Sequence, residues 1–253
     1  MVFSSLIFIY AFLPLTLLVY AFCKKNQTRN YILLAASIVF YTWGEPVYVL
    51  ILIGMTFLDW VSALIIQNAC EKERSKKLVL VISVTLNLLI IGFFKYTGFL
   101  LSNIHAVLGV PDVIPEILLP IGISFYTFRS MSYIIDCCRG KVKVQTRFLD
   151  YATYVSMFPL LITGPVVKYA DIEKQLHERK HDIVEISYGC QRFVIGLAKK
   201  VLLADHLGKL WVGILSGDFS ELTVMTAWMG ILAFAFQIYF DFSGYSDMAI
   251  GLG

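Results

Sequence analysis

Two carboxylates, Asp241 and Asp247, stand in IYFDFSGYSDMAIGLG (238–253), directly after or at the edge of a run, 222–240, that carries no charge. Two lysines, Lys199 and Lys200, interrupt RFVIGLAKKVLLAD (192–205), and Arg129 interrupts ISFYTFRSMSYIID (123–136). A charge inside an apolar segment is costly and faces a partner or a polar cavity. Lysines at such a place can also hold an anionic cytosolic substrate, such as a coenzyme A phosphate.

Each of these residues has a second, structural reading. Lys199 and Lys200 can anchor an amphipathic segment at the cytoplasmic surface by snorkelling. Asp136 lies seven residues beyond Arg129, two helical turns or about 10 Å along the axis. The two cannot pair directly without bending toward each other; either each marks a helix end or meets another helix, or both face a cavity. Gly244 can act as a helix N-cap with Asp247 in the first turn, favoured by the helix dipole, and Ser243 stands i, i+4 from Asp247. Asp241 has no such role in a continuous helix. The stretch DFSGYSD is therefore expected to break a membrane helix, with Asp241 facing a polar interior.

Other patterns carry less. HERKH (177–181) matches the spacing of two zinc-binding histidines with a base between them, but Arg179, Lys180, Lys174 and Asp182 make it a solvated charged face, so no metal site is expected. Asn26-Gln27-Thr28 matches a glycosylation sequon beside two lysines, on the side assigned below to the cytoplasm. The five cysteines include no C-x-x-C pair and most lie in or beside apolar runs, which reads as buried free thiols.

The elements that must position these residues are membrane helices. Of the 253 residues 58% are hydrophobic and only 15% charged, with a mean hydropathy of +0.74; a soluble chain is about half apolar and a quarter charged. No charge occurs before Lys24, and the opening run lacks the basic start and small-residue cleavage site of a signal peptide, so it reads as a retained transmembrane helix. Apolar segments fall at 3–22, 31–43, 47–66, 78–100, 117–135, 149–167, 186–204 and 222–240. Gly44-Glu45-Pro46 divides the second from the third. Pro159, Gly164 and Pro165 prevent a clean span at 149–167; irregular backbone at membrane depth survives only when buried in protein or lining a cavity, so this segment is expected to be re-entrant and a cavity wall. The expected fold is thus an all-α polytopic transmembrane bundle of about seven or eight hydrophobic segments, one membrane-embedded domain over 1–253 with no soluble domain.

Charge sets the expected topology. Basic clusters at Lys24–Arg29, Lys72–Lys77, Arg139–Arg147 and Lys168–Lys180 contrast with 101–116, which lacks Lys and Arg. The positive-inside rule puts the clusters in the cytoplasm and the N-terminus outside. The net charge of +3 is divided among these clusters, a membrane pattern rather than a nucleic-acid one.

Seven stretches resemble, in order, the membrane-bound O-acyltransferase family and specifically its alginate O-acetylation branch: FYTWGEP (40–46), FKYTGF (94–99), LPIGISFYTF (119–128), SYIIDCCRG (132–140), FPLLITGP (158–165), RFVIGLAKKVLLAD and IYFDFSGYSDMAIGLG. The resemblance implies a bacterial inner-membrane enzyme with no bound cofactor. It would move an acyl group, acetyl above all, from a cytosolic thioester such as acetyl-coenzyme A toward an exported polysaccharide, with an extracytoplasmic partner protein completing the transfer. The D-alanyl transferase branch, acting on teichoic acid, and a polysaccharide transporter without chemistry are the alternatives. Arg129, Asp136, Pro159, Gly164, Pro165, Asp241, Ser243, Tyr245 and Asp247 are the candidate tunnel-lining residues, and Lys199 and Lys200 the candidate donor-side cations. The family commonly has Gln at the positions of Arg129 and Leu160, and Ala or Ser near Thr163. Its catalytic histidine is expected beyond Gly253, so that 1–253 is a truncated, inactive portion; His105, His177, His181 and His206 do not match that motif.

Overall fold

The structure, a computed structural model, describes residues 3–68, 73–108, 118–162, 164, 167–179, 182–217 and 222–253. Helix is the only regular element among them. The contacts fall into two compact groups, one of 22–162 and 166–179, the other of 1–21, 163–165 and 180–253.

The larger group holds α2 (Asn26–Gly44), α3 (Val49–Asn68), α4 (Glu73–Leu108), α5 (Ile123–Cys138), α6 (Phe148–Ser156), α7 (Phe158–Leu161) and α8 (Tyr169–His177). α2 stops at the Gly-Glu-Pro break, as the proline requires, and α3 starts three residues later. α5 opens on Gly122, whose φ of +75° suits glycine. A Cβ at Gly122 would also run into the carbonyl oxygen of Leu161, so the turn before α5 lies directly on the 158–161 backbone. The segment expected to be irregular is broken: α6 ends at Ser156, Met157 is extended, and α7 restarts for a single turn with Pro159 near its start, where a missing N–H costs nothing.

The core of this group is aromatic and polar. Tyr133, Tyr151, Tyr154 and Tyr169 are fully buried, with ring centroids 4.7–6.4 Å apart. Such pairs favour tilted and edge arrangements, and each hydroxyl finds a partner: Tyr133 accepts from the Gln145 N–H, Tyr169 from the Gln145 amide, Tyr154 donates to the Val167 carbonyl, and Tyr151 bonds Ser130.

The smaller group holds α1 (Phe8–Phe22), α9 (Ile183–Ala198), a π-helical stretch Lys199–Ala204, α10 (Asp205–Leu215) and α11 (Val224–Leu252). α9 and α11 run side by side, glycine against glycine. A Cβ on Gly189 would stand 2.6 Å from the carbonyl oxygen of Gly251, and one on Gly196 2.5 Å from that of Gly244. The glycines are seven residues apart on each helix, two turns along one face, which is how small residues let membrane helices approach.

Here the structure corrects one expectation. DFSGYSD does not break the helix: α11 continues from Val224 to Leu252. Gly244 is the closest-approach residue against α9 rather than an N-cap, and Asp247 sits mid-helix. The carboxylates need no break, because cations from the facing segment meet them.

Candidate functional site

In the smaller group the facing cations come from α9 and the π-helical stretch after it. Asp247 binds Lys199 Nζ at 2.6 Å and Arg192 Nε at 3.1 Å. Lys199 also donates to Ser243 Oγ at 3.2 Å. Lys200 lies 2.8 Å from Asp241 and 3.0 Å from Asp205. On a regular α-helix, consecutive residues point about 100° apart. Here Lys199 and Lys200 both reach α11, and they do so where α9 passes into the wider π turns; such bulges recur at functional sites. The outcome is an ion lattice of two triads, Arg192–Asp247–Lys199 and Asp241–Lys200–Asp205. Asp247 is the inner member, its side chain 17% exposed against 47% for Asp241. Tyr245 turns away from the lattice and stacks on Phe3, centroids 4.6 Å apart.

Both readings of the lysine pair are thereby refined. Each amine is committed to carboxylates, so an anionic ligand at Lys199 or Lys200 would have to compete with Asp241 and Asp247.

In the larger group, Arg129 is fully buried on α5. Its guanidinium donates to the carbonyls of Val155 (2.9 Å), Tyr154 (3.4 Å) and Leu160. These are carbonyls that the ends of α6 and of the single turn α7 leave without helical partners. Ser37 completes the corner by accepting from the Phe158 N–H at 2.9 Å. Arg129 thus holds the bent backbone of FPLLITGP in shape. Pro159 is buried in the same corner; Gly164, which belongs to the smaller group, is buried with φ +134°. Asp136 lies half-buried near the end of α5; its carboxylate makes no hydrogen bond or ion pair with the described residues. Pro165 and Thr163 lie outside the described residues, as do Lys180 and His181 of HERKH.

Sequence reasoning passed over the most buried carboxylate. Asp59, 1% exposed, accepts from Ser83 Oγ at 2.9 Å and Asn87 Nδ2 at 2.7 Å on one oxygen, and from Ser130 Oγ at 2.5 Å on the other. Tyr151 bonds Ser130 in turn. One carboxylate thus ties α3, α4, α5 and α6 together. The signal was present: Asp59 is the single charged residue of VLILIGMTFLDWVSALIIQN (49–68), and Ser83 and Asn87 are i, i+4 on α4. Among the described residues no three His, Cys, Asp or Glu side chains cluster as metal ligands.

Within each group, several of the stretches singled out in the sequence meet in space. LPIGISFYTF, through Gly122 and Arg129's helix, closes on FPLLITGP; Phe40 of FYTWGEP packs on Phe158, centroids 5.8 Å apart; and RFVIGLAKKVLLAD pairs with IYFDFSGYSDMAIGLG. Three helices, Val49–Asn68, Glu73–Ile104 and Val224–Leu252, are long and apolar enough to cross a membrane. The fold is that of an all-α integral membrane protein with buried polar joints.

Comparison with known proteins specifies the class. Residues 141–253 match the membrane-bound O-acyltransferase family. Over the whole chain the sequence is 42% identical to the "Probable alginate O-acetylase" of Pseudomonas aeruginosa, covering 49% of that protein. It is 32% identical over the whole chain to the peptidoglycan O-acetyltransferase of Helicobacter pylori, covering 54% of it. A teichoic acid D-alanyltransferase of Lacticaseibacillus rhamnosus matches at 22% identity over 72% of the chain, covering 44% of that protein. The chain is similar to the membrane-bound O-acyltransferase family over 141–253, and it spans about half the length of the curated relatives it matches.

Proposed function

We propose that the full-length protein is an O-acyltransferase that moves an acetyl group from a cytosolic thioester, acetyl-coenzyme A, toward an exported polysaccharide. The observation that carries this reading is the whole-chain likeness to two O-acetylating proteins whose names specify polysaccharide acceptors, alginate and peptidoglycan. In the reaction an acceptor oxygen attacks the thioester carbonyl, the carbon–sulfur bond breaks, the thiol leaves with the proton, and an ester forms. The family's histidine would act as the base. The residues of 1–253 would build the frame: the Arg129 corner shapes one wall, and the Lys199–Asp247 lattice fixes α9 against α11. The same reading makes the protein a multi-pass protein of the bacterial inner membrane with its N-terminus outside, following the basic clusters, and gives it an extracytoplasmic acetyl-transfer partner. The D-alanyl alternative has only the weaker likeness, 22% over 72% of the chain.

The test uses inverted membrane vesicles containing the full-length protein and acetyl-labelled acetyl-coenzyme A. Release of free thiol together with label that becomes alkali-labile on membrane or polymer supports the reading. Intact thioester in vesicles shown to contain the protein would overturn it.

A further inference from the structure

A second polar site lies away from the Arg129 corner and the ion lattice, where α2 and α6 begin. A cavity of about 180 Å³ opens there, lined by Asn26, Gln27, Asn30, Arg147, Asp150 and Leu176. Its inner wall is built rather than incidental. Asn30, 1% exposed, donates to Asp150 Oδ1 at 3.1 Å and to the Leu176 carbonyl at 3.0 Å, and accepts from Arg179 Nη2 at 2.7 Å. Each hydrogen-bonding position of this amide serves to fix the wall.

Asp150 is the informative residue. It is 3% exposed, and its only side-chain partner among the described residues is Asn30, on one oxygen. No cation among the described residues stands within ion-pair distance, although Arg147 lines the same cavity and Arg179 bonds the same asparagine. The Arg147 guanidinium likewise has no partner among the described residues. A buried carboxylate of this kind needs a cation or a donor. The cavity therefore presents an unpaired anion at its base and an unpaired cation at its exposed rim, with the Gln27 amide beside them. Helices α2 and α6 both start here without a side-chain cap, which adds partial positive charge around the rim.

The ligand that matches this arrangement carries an ammonium and a phosphate a few bonds apart. The depth fits a lipid: α2 turns apolar from Tyr31, α6 follows the basic stretch 139–147, and Lys24, Lys25 and Arg29 stand in sequence beside the lining residues Asn26 and Asn30, as at a membrane–water boundary. We propose that this cavity binds the headgroup of a zwitterionic phospholipid of the phosphoethanolamine class. Asp150 takes the ammonium, and Arg147 with Gln27 takes the phosphate.

The experiment uses the full-length protein, delipidated in mild detergent and titrated with phosphatidylethanolamine, phosphatidylcholine or phosphatidylglycerol of one acyl composition. Bound lipid is counted by native mass spectrometry. Phosphatidylethanolamine is expected to bind about tenfold more tightly than the other two, the worth of one charge-assisted hydrogen bond, because only its ammonium has N–H donors for Asp150. Asp150→Asn should abolish that preference, and Arg147→Gln should weaken all three lipids alike. If Asp150→Asn does not fold, the three-lipid comparison on the unaltered protein still decides. Equal binding of the three lipids, or a preference for phosphatidylglycerol, would overturn the proposal. Displacement of bound phosphatidylethanolamine by soluble O-phosphoethanolamine at equal concentration would overturn the lipid assignment in favour of a soluble ligand.

Discussion

Gly196 and Gly244 face each other so closely that a Cβ on Gly196 would stand 2.5 Å from the carbonyl oxygen of Gly244, and one on Gly244 2.7 Å from that of Gly196. The obstructing atoms are backbone, so no side chain can rotate out of the way; α9 and α11 would have to separate. Gly196→Ala and Gly244→Ala should each cost about 1–3 kcal/mol, as overpacking does, read as a lower melting temperature in detergent. Gly54→Ala is the control. Nothing lies within 4 Å of its Cβ position, and alanine is favoured over glycine in a helix by up to about 1 kcal/mol.

That contact sets the distance at which the ion lattice forms. Asp247 bonds two cations and is the less exposed carboxylate; Asp241 bonds one and is nearly half exposed. Asp247→Ala should therefore lower thermal stability more than Asp241→Ala, whose exposed pair is worth at most about 1 kcal/mol. Pairing Lys199→Met with Asp247→Leu should recover part of the loss, because removing both partners is milder than stranding one. Equal effects of the two alanine variants would contradict the ranking.

Asp59 is predicted to be the most sensitive polar residue of the larger group. Asp59→Leu removes the shared acceptor of the buried Ser83, Asn87 and Ser130 donors, a loss on the order of 3–5 kcal/mol. Tyr151→Phe removes only the outer link to Ser130 and should cost about 1 kcal/mol. Chemical denaturation in detergent distinguishes the two. A Tyr151→Phe effect as large as that of Asp59→Leu would contradict the order.

Arg129 should be replaceable by glutamine but not by leucine. A glutamine amide can still donate to one or two of the carbonyls of Tyr154, Val155 and Leu160, and the resemblance places glutamine at this position in the family. Arg129→Leu leaves these carbonyls buried and unmet. Limited proteolysis should show new cleavage near 154–161 in Arg129→Leu and little in Arg129→Gln. Equal cleavage of both would show that the corner is held by something else.

The sequence and the structure agree most where chain chemistry is local. The break after Gly44 follows from Pro46, and the bend at 157–161 from Pro159, because a proline's missing N–H and fixed φ act whatever the surroundings. The two glycines seven residues apart on α9 and on α11 could also have been read as a close seam. What could not be read was which charge meets which. DFSGYSD looked like a helix break because two carboxylates in an apolar helix seemed uncompensated. Their compensation comes from Arg192, Lys199 and Lys200, about forty to fifty-five residues earlier, so it is a matter of packing. The same holds for Arg129, whose partners are backbone carbonyls and leave no compositional trace. Asp59 was legible as a lone charge in an apolar span; its donors on α4 and α5 were not.

The account's central claim is acetyl transfer to a polysaccharide, and the most direct measurement is made on the polymer. The full-length protein, with the extracytoplasmic partner proposed for it, is expressed in an alginate-producing strain lacking its own O-acetylase. The exported polymer is then examined by proton NMR before and after mild alkali. The account predicts acetyl ester signals that depend on the protein and vanish with alkali. Polymer without acetyl esters, while the protein and its partner are present in the membrane, would contradict it.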